Sequence, residues 1–219
     1  MSIQGMREWV KSHRVLIGIL LGLIVASLLI TYSIGAMTRS SGSGNTDQVD
    51  IAAYEEYVAE KRAAYEANTE DYTTNYELAT ALYELGIASI YEDSTKAIAS
   101  FAEAADYYVV AIGIAPSDLN DLGLAQLYVK AANCYSITGV NDKAKENYDA
   151  AVKLAPGEFE VGYTYAQHLA GIAEYDAAIE VLNNMIANTT DQSIIDSANA
   201  LIEEINVVKA QSAGGEATE

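Results

Sequence analysis

The residues best suited to catalysis are few and widely separated in this sequence. Nucleophilic or acid–base catalysis needs a thiol, an imidazole or paired carboxylates that converge and have shifted pKa values. Among 219 residues there is one cysteine, Cys134, and there are two histidines, His13 and His168. No basic neighbour or helix start marks the Cys134 thiol as reactive, and 31 acidic residues produce carboxylate pairs by chance. We therefore predict no enzyme and no catalytic residue.

Two short motifs match known ligand sites only in part. Residues 118–129 begin like a calcium-binding loop, but Leu122 and Val129 stand at the fifth and twelfth positions, where the loop needs oxygen ligands. The Gly-rich segment 42–46 lacks the lysine and the strand–helix context of a phosphate-binding loop. We therefore predict no metal site and no cofactor.

Acidic and basic residues are distributed unevenly along the chain. Residues 1–39 carry four basic residues and one acidic residue, whereas residues 40–219 carry eight basic and 30 acidic residues. Nucleic acids and anionic lipid surfaces bind clustered lysine and arginine, which the second region lacks. We therefore exclude a nucleic-acid partner, and we interpret the acidity as a source of solubility rather than as a site for basic ligands.

An uncharged apolar segment, residues 15–37, is long enough to cross a membrane as one helix. At about 1.5 Å per residue, roughly 20 residues span a hydrocarbon core of about 30 Å. Basic residues in the preceding tail, 1–14, place that tail in the cytoplasm by the positive-inside rule. Residues 38–46 form a Ser/Gly-rich linker. We expect a single-pass protein of the cell membrane whose main domain is extracytoplasmic.

Two alternatives concern the same apolar segment. A cleaved signal peptide has an apolar core of about 7–15 residues and an A-x-A-like site, which Ala36 matches only at its last position. We therefore favour an uncleaved anchor. The same segment also allows a homo-oligomer, because Gly18 and Gly22 form the G-x-x-x-G spacing that lets membrane helices of two copies approach closely.

Small and aromatic residues recur at helical spacing in residues 125–158. Two antiparallel helices that pack closely need small side chains where their backbones approach and large rings in the adjoining gaps. Gly139 supplies the turn between the helices, and Pro156 ends the second helix. In a frame that starts at Ala125, positions 4, 8, 11, 20, 24, 27 and 32 are Tyr128, Ala132, Tyr135, Ala144, Tyr148, Ala151 and Pro156.

This pattern resembles the tetratricopeptide repeat (TPR), a helical hairpin of 34 residues. Only position 7 departs from the family pattern, because Ala131 stands where the family has leucine. In the frame that follows, Gly162 and Met185 depart at positions 4 and 27. An earlier frame starts at Tyr72, and we expect insertions to lengthen its helices at residues 87–100 and 117–123.

Further helices flank these frames. Residues 47–68 and 193–210 each carry an apolar stripe at helical spacing, and the second suits a terminal cap with one polar face. The prediction is an all-α fold in which residues 47–210 form a TPR-like α-solenoid. It comprises about three helical-hairpin repeats plus flanking helices, after the transmembrane helix. Residues 211–219 are predicted to be a disordered tail.

The resemblance also implies where a ligand binds. TPR arrays bind peptides or helices along a concave face that the first helix of each repeat lines at positions 2, 5, 9 and 12. Val129 and Tyr163 replace the lysine that clamps a C-terminal carboxylate, so tyrosines and amides would hold an extended or helical segment instead. Packing of these tyrosines between repeats is the alternative. The candidate residues are Tyr76, Tyr83, Gln126, Val129, Asn133, Tyr163 and Gln167.

Two functions follow from this interpretation. The first is a membrane-anchored scaffold that presents a peptide-binding surface to a protein of the cell envelope. The second is a chaperone-like accessory that holds newly exported chains at a translocation or assembly machine. Both require a protein or peptide ligand, and the resemblance to the family does not identify it.

Overall fold

The computed structural model describes residues 50–215, and every regular element in that range is an α-helix. The all-α prediction is therefore confirmed for this range. The predicted anchor at 15–37 lies outside it, and none of the helices described here has the length and apolar character to span a bilayer. The helices of this range are α1 (Ile51–Ala67), α2 (Tyr72–Ser89), α3 (Ser94–Gly113), α4 (Asp121–Ile137), α5 (Asn141–Leu154), α6 (Phe159–Gly171), α7 (Tyr175–Ala187) and α8 (Gln192–Gly215).

The first four helices each begin after an aspartate or asparagine that caps the first turn. Asp50, Asp71, Asp93 and Asn120 each accept a hydrogen bond from the backbone N–H three residues later. Each bond satisfies a donor that a helix start leaves free. In α4, Asn120 Oδ1 accepts from the N–H of Gly123 at 2.8 Å. These caps define where α2 and α4 begin.

The turn between α4 and α5 confirms the role predicted for Gly139. Its φ of 76° lies in the left-handed region, which glycine adopts without steric cost. The N–H of Val140 donates to the carbonyl oxygen of Tyr135 at 2.8 Å, which completes the end of α4. Helix α5 then ends at Leu154, before Pro156, as expected for a residue that cannot continue a helix.

The described residues divide into two compact units, 50–161 and 162–215. In the first unit, each helix from α1 to α5 packs against the next one along the chain. Helices α2 and α3 form one helical hairpin, and α4 and α5 form another. Ala132, Ala144 and Ala151, which we expected at the closest backbone approach, are completely buried. Their burial and the packing of α4 against α5 agree with the predicted close approach of these two helices.

Helix α1 completes the first unit through ion pairs and one aromatic contact. Lys61 Nζ lies 3.0 Å from Glu77 Oε2 of α2, and Arg62 Nη2 lies 2.7 Å from Glu103 Oε1 of α3. The ring of Tyr65 meets that of Tyr107 edge to face, with centroids 4.9 Å apart. Exposed ion pairs contribute little, and Val58 is the residue of α1 that is buried in this contact.

The α2–α3 hairpin shows what the two predicted insertions do. Residues 87–100 lengthen the hairpin, and α3 reaches 20 residues where α5 has 14. Residues 117–123 differ from the prediction, because the helix begins only at Asp121 and the preceding residues form a connection. The Asn120 cap explains this boundary, since it starts a new helix instead of extending α3.

In the second unit, α7 and α8 pack together, and α6 meets α7 at Gly162. A Cβ atom on Gly162 would lie 2.7 Å from Met185 Sδ, so the glycine leaves the space that the methionine fills. On α8 the predicted apolar stripe is buried at Ala198, Leu201 and Ile205. Gly162 and Met185 are both departures from the expected frame, and they lie against each other.

The end of α8 differs from the sequence prediction. The helix continues to Gly215, into the segment 211–219 that the sequence predicts to be disordered. Residues 208–213 contain alanine, lysine and glutamine, which favour helix, and no proline or glycine interrupts them before position 214. Lys209 also forms an ion pair with Asp176, which holds the last part of α8 near α7.

Candidate functional site

Half-buried aromatic side chains line the first turns of α2. The rings of Tyr72 and Tyr76 stack, with centroids 6.1 Å apart and an interplanar angle of 9°. The ring of Tyr76 also lies 6.3 Å from that of Tyr108 on α3, which is completely buried. Tyr76 is therefore supported from the interior while part of its side chain remains accessible to solvent.

Three of the predicted binding residues lie in the interior instead, and two of them, Val129 and Tyr83, belong to the first unit. Val129 is completely buried, and Tyr83 is 8% exposed with its ring 5.4 Å from that of Phe101. The outward face of α4 follows Gln126, Lys130 and Asn133. At about 100° per residue, Val129 lies about 40° from Asn133 and about 60° from Gln126 around the helix, at the enclosed edge of that stripe. A side chain that is enclosed in this way packs the hairpin. We therefore correct the assignment of Val129 and Tyr83 to a ligand surface.

A hydrogen bond from a buried tyrosine holds Asn133 on α4. Tyr148 Oη of α5 donates to Asn133 Oδ1 at 2.5 Å, and Tyr148 is 1% exposed. Asn133 itself is half-buried. Its Nδ2 makes no hydrogen bond with the described residues and is not enclosed. The accessible part of this side chain is therefore an N–H donor group.

The α2–α3 hairpin repeats this arrangement with a different polar residue. Thr80 of α2 and Tyr108 of α3 correspond to Asn133 and Tyr148 once the insertion at 87–100 is allowed for. Thr80 Oγ1 lies 3.2 Å from Tyr108 Oη, close enough for a hydrogen bond in either direction. In both hairpins, a tyrosine of the second helix thus holds a polar side chain of the first helix near the surface.

Glu84 and Lys130 add opposite charges to the same side of the first unit, although neither is among the predicted binding residues. Burial raises the pKa of the Glu84 carboxyl, and the positive charge of Lys130 partly opposes that shift. The signal for Lys130 was its spacing, since it lies between Gln126 and Asn133 on one helical stripe. We define the α2–α4 surface as Tyr76, Thr80, Glu84, Gln126, Lys130 and Asn133.

The two predicted residues of α6 belong to the unit of residues 162–215. Tyr163 is half-buried, which raises the pKa of its hydroxyl, and the negative charge of Glu204 adds to that shift. Gln167 is 7% exposed, and its Oε1 is enclosed with no hydrogen-bond partner among the described residues. Leu182 holds the frame position that Tyr148 holds in the α4–α5 hairpin. Gln167 is enclosed as Val129 and Tyr83 are, and we therefore also correct its assignment to a ligand surface.

A cleft of about 390 Å³ opens between α3, α4 and α5, and no predicted binding residue lines it. On its floor, Lys143 Nζ lies over the ring of Tyr135, 5.0 Å from the centroid. Val109 and Glu146 contribute an apolar and an acidic side chain to its walls. The cleft combines these chemistries without a converging acid–base pair, so we assign it no reaction.

Of the residues first considered for catalysis, Cys134 and His168 are enclosed, and His13 lies outside the described residues. Burial raises the pKa of the Cys134 thiol well above its usual range, and Lys130 opposes the shift only in part. Lys130, one turn earlier, is a basic neighbour of Cys134, contrary to the prediction, yet burial has the larger effect and disfavours a thiolate. His168 is 3% exposed on α6. Within residues 50–215, no three His, Cys, Asp or Glu side chains group as metal ligands.

The α2–α4 surface offers a ring face, an ammonium group and amides with unused hydrogen-bonding capacity. Such groups can hold a polypeptide by stacking and by hydrogen bonds to its backbone. Comparisons with protein-family models and with curated proteins find no match to this chain.

Proposed function

We propose that this protein is a membrane-anchored scaffold whose α2–α4 surface binds a segment of another protein. The observation that carries the proposal is the pair of buried tyrosines, Tyr108 and Tyr148, that hold Thr80 and Asn133 at the surface. Side chains held in this way lose little conformational freedom on binding, so the surface is preorganised for a ligand.

The proposal includes a TPR-like organisation of the hairpins. Its support is the order of helices, the buried alanines between α4 and α5, and the left-handed turn at Gly139. In that organisation, α2 and α4 are the first helices of successive repeats. The resemblance assigns ligand binding to those helices, in agreement with the exposed groups that they carry.

Residues 15–37 would anchor the scaffold, with its helical domain outside the cytoplasm. Support comes from the apolar sequence and from the basic residues before it. Protease treatment of intact cells tests this arrangement. Loss of residues 50–215 from intact cells, with a small membrane-bound fragment left, is the expected result, whereas protection until lysis would contradict it.

In-cell photo-crosslinking tests the binding function. A photo-reactive residue replaces Gln126, which is exposed on α4, and mass spectrometry identifies the adducts. The matched control carries the same group at Ile98 of α3, which is 52% exposed but lies outside the α2–α4 surface. We expect a dominant adduct with one other protein from position 126 and little of it from position 98.

The other outcomes assign different functions. Many exported proteins crosslinked in similar amounts would support the chaperone-like accessory, because such a protein holds varied unfolded chains. Adducts only with a second copy of this chain would indicate self-assembly. Equal yields from positions 126 and 98 would contradict binding at the α2–α4 surface.

A further inference from the structure

The Tyr148–Asn133 hydrogen bond determines which atom of the Asn133 carboxamide faces outward on the α2–α4 surface. A carboxamide can present either its oxygen or its nitrogen outward, because rotation of the group exchanges the two. Here Tyr148 donates to Asn133 Oδ1 at 2.5 Å, so the oxygen points inward and Nδ2 points outward. Tyr148 is 1% exposed, and an inward nitrogen would leave the phenol proton without Asn133 Oδ1 as its acceptor.

A second donor lies beside Asn133 on the same helical stripe. Lys130 precedes it by three residues, which is about 4.5 Å along the helix axis. Carbonyl groups on one edge of an extended chain repeat at about 6.6 Å, a separation that the flexible lysine side chain can match. The stripe of α4 thus presents two donors at a spacing suited to successive carbonyl groups of a strand.

The charge of Lys130 is offset within the first unit. Glu84 lies close enough for its carboxyl to respond to that charge. A ligand carboxylate at Lys130 would therefore meet the Glu84 carboxylate as well, and like charges repel. A neutral acceptor such as a backbone carbonyl fits this environment better.

We infer that Tyr148 is a positioning residue that turns the N–H groups of Asn133 outward, and that the α2–α4 surface consequently selects an extended polypeptide segment. An extended segment has free backbone carbonyls along its edge, whereas the carbonyls in the interior of a helix are already hydrogen-bonded. This inference rests on the function proposed above. It decides between the extended and helical ligands that the sequence left open.

Two variants of the full-length chain test the polarity of Asn133, with crosslinking from position 126 as the readout. Asn133→Asp keeps an oxygen for Tyr148 but replaces the outward N–H groups by an acceptor. We expect the adduct yield to fall about tenfold, since a buried acceptor on the ligand loses its donor. Tyr148→Phe frees the carboxamide, and we expect a smaller fall of about threefold.

Tyr175→Phe is the matched control. It removes a tyrosine hydroxyl that lies 3.3 Å from Ser212 Oγ in the second unit, far in sequence from the α2–α4 surface. We expect it to leave the yield unchanged. Nuclear magnetic resonance of the side-chain amide of Asn133 separates positioning from stability, because Tyr148→Phe should shift those signals while the backbone signals of α4 stay in place.

The conformation of the ligand has its own test. The segment crosslinked to position 126 is synthesised as a peptide, and its interior residues are replaced one at a time by proline. An extended ligand keeps its affinity at most positions, whereas a helical ligand loses it at nearly all of them. General loss of affinity would overturn the inference.

The remaining outcomes separate this inference from the proposed function. A dominant adduct with another protein whose yield is the same in wild type, Asn133→Asp and Tyr148→Phe would overturn the inference and leave the scaffold function intact. Absence of any such adduct in the wild type would overturn both, because no ligand would occupy the α2–α4 surface.

Discussion

The α4–α5 and α6–α7 hairpins share one sequence frame, but they have a large and a small residue in opposite order at two of its positions. At positions 4 and 27, the first hairpin has Tyr128 and Ala151, a large residue followed by a small one. The second has Gly162 and Met185, a small residue followed by a large one. Because Met185 fills the space beside Gly162, the two departures compensate each other in volume.

The hydrogen bond between the two helices is kept in only one of these two hairpins. Asn133 and Tyr148 form a hydrogen bond in the α4–α5 hairpin. In α7, Leu182 stands in place of the tyrosine, and Gln167 Oε1 is enclosed with no partner in the part of the chain that the structure describes. An enclosed polar atom without a partner costs about 1–3 kcal/mol. The comparison teaches that packing volume is kept in both hairpins, whereas the polar contact is kept only where a side chain is held at the α2–α4 surface.

The largest expected effect tests how Met185 fills the space beside Gly162. Met185→Ala should lower the free energy of unfolding by about 2–5 kcal/mol, because it empties a completely buried space beside a glycine. Urea unfolding of the full-length chain in detergent micelles, followed by circular dichroism, measures this change.

A reciprocal substitution serves as the control for that result. Gly162→Tyr alone should also destabilise the chain, since its Cβ would already lie 2.7 Å from Met185 Sδ. Combined with Met185→Ala, it recreates the Tyr–Ala order of the α4–α5 hairpin and should recover part of the loss. Strictly additive losses would show that the two positions do not compensate each other.

Much of the first unit could be predicted from the sequence because its signals are local. Gly139 and Pro156 mark their own turn and helix end, and Ala132 is small where two helices must approach. Each of these residues acts through its own conformation or volume. The frame therefore located α4 and α5 without knowledge of their neighbours.

The candidate surface was harder to predict because it depends on rotation and on partners. Val129 occupies a frame position assigned to the ligand, but the packing of α4 encloses it completely. Lys130, one residue later, faces outward and was missed. The role of Tyr148 was also hidden, since a packing position in the frame gives no sign that its hydroxyl orients Asn133.

The next prediction concerns the hydroxyl of Tyr148. Tyr148→Phe should lower the free energy of unfolding by about 1–1.5 kcal/mol, because Asn133 Oδ1 loses its donor. The corresponding change in the α2–α3 hairpin, Tyr108→Phe, should cost less, since the distance to Thr80 is longer at 3.2 Å and the threonine hydroxyl can rotate. Equal losses in urea unfolding would remove the distinction between the two hairpins.

The third prediction is an increase in the free energy of unfolding. Gln167→Leu should raise the free energy of unfolding by up to about 1 kcal/mol, because it replaces an enclosed oxygen without a partner by an apolar group of similar size. Asn133→Leu is the matched change and should lower stability, since it removes the hydrogen bond that the buried Tyr148 hydroxyl donates to Asn133 Oδ1. A loss at both positions would mean that Gln167 is not an unsatisfied residue in solution.

The smallest effect concerns Glu84, a carboxylate with no counterpart in α6, where Gly171 holds the same frame position. Burial raises its pKa above the ordinary value of 4.5, so the folded chain binds this proton more tightly than the unfolded chain does. The contribution of Glu84 to the free energy of unfolding therefore falls as the pH rises from the ordinary pKa to the higher pKa of the folded chain. It stays unfavourable at neutral pH.

Glu84→Gln should stabilise the chain at neutral pH by no more than about 0.5 kcal/mol, since the side chain is partly exposed and Lys130 offsets its charge. Below about pH 4 the carboxyl is protonated in both states, and urea unfolding of the two proteins should then agree. A gain that persists in acid would assign the effect to packing instead of charge, and the electrostatic link between α2 and α4 would lose its support.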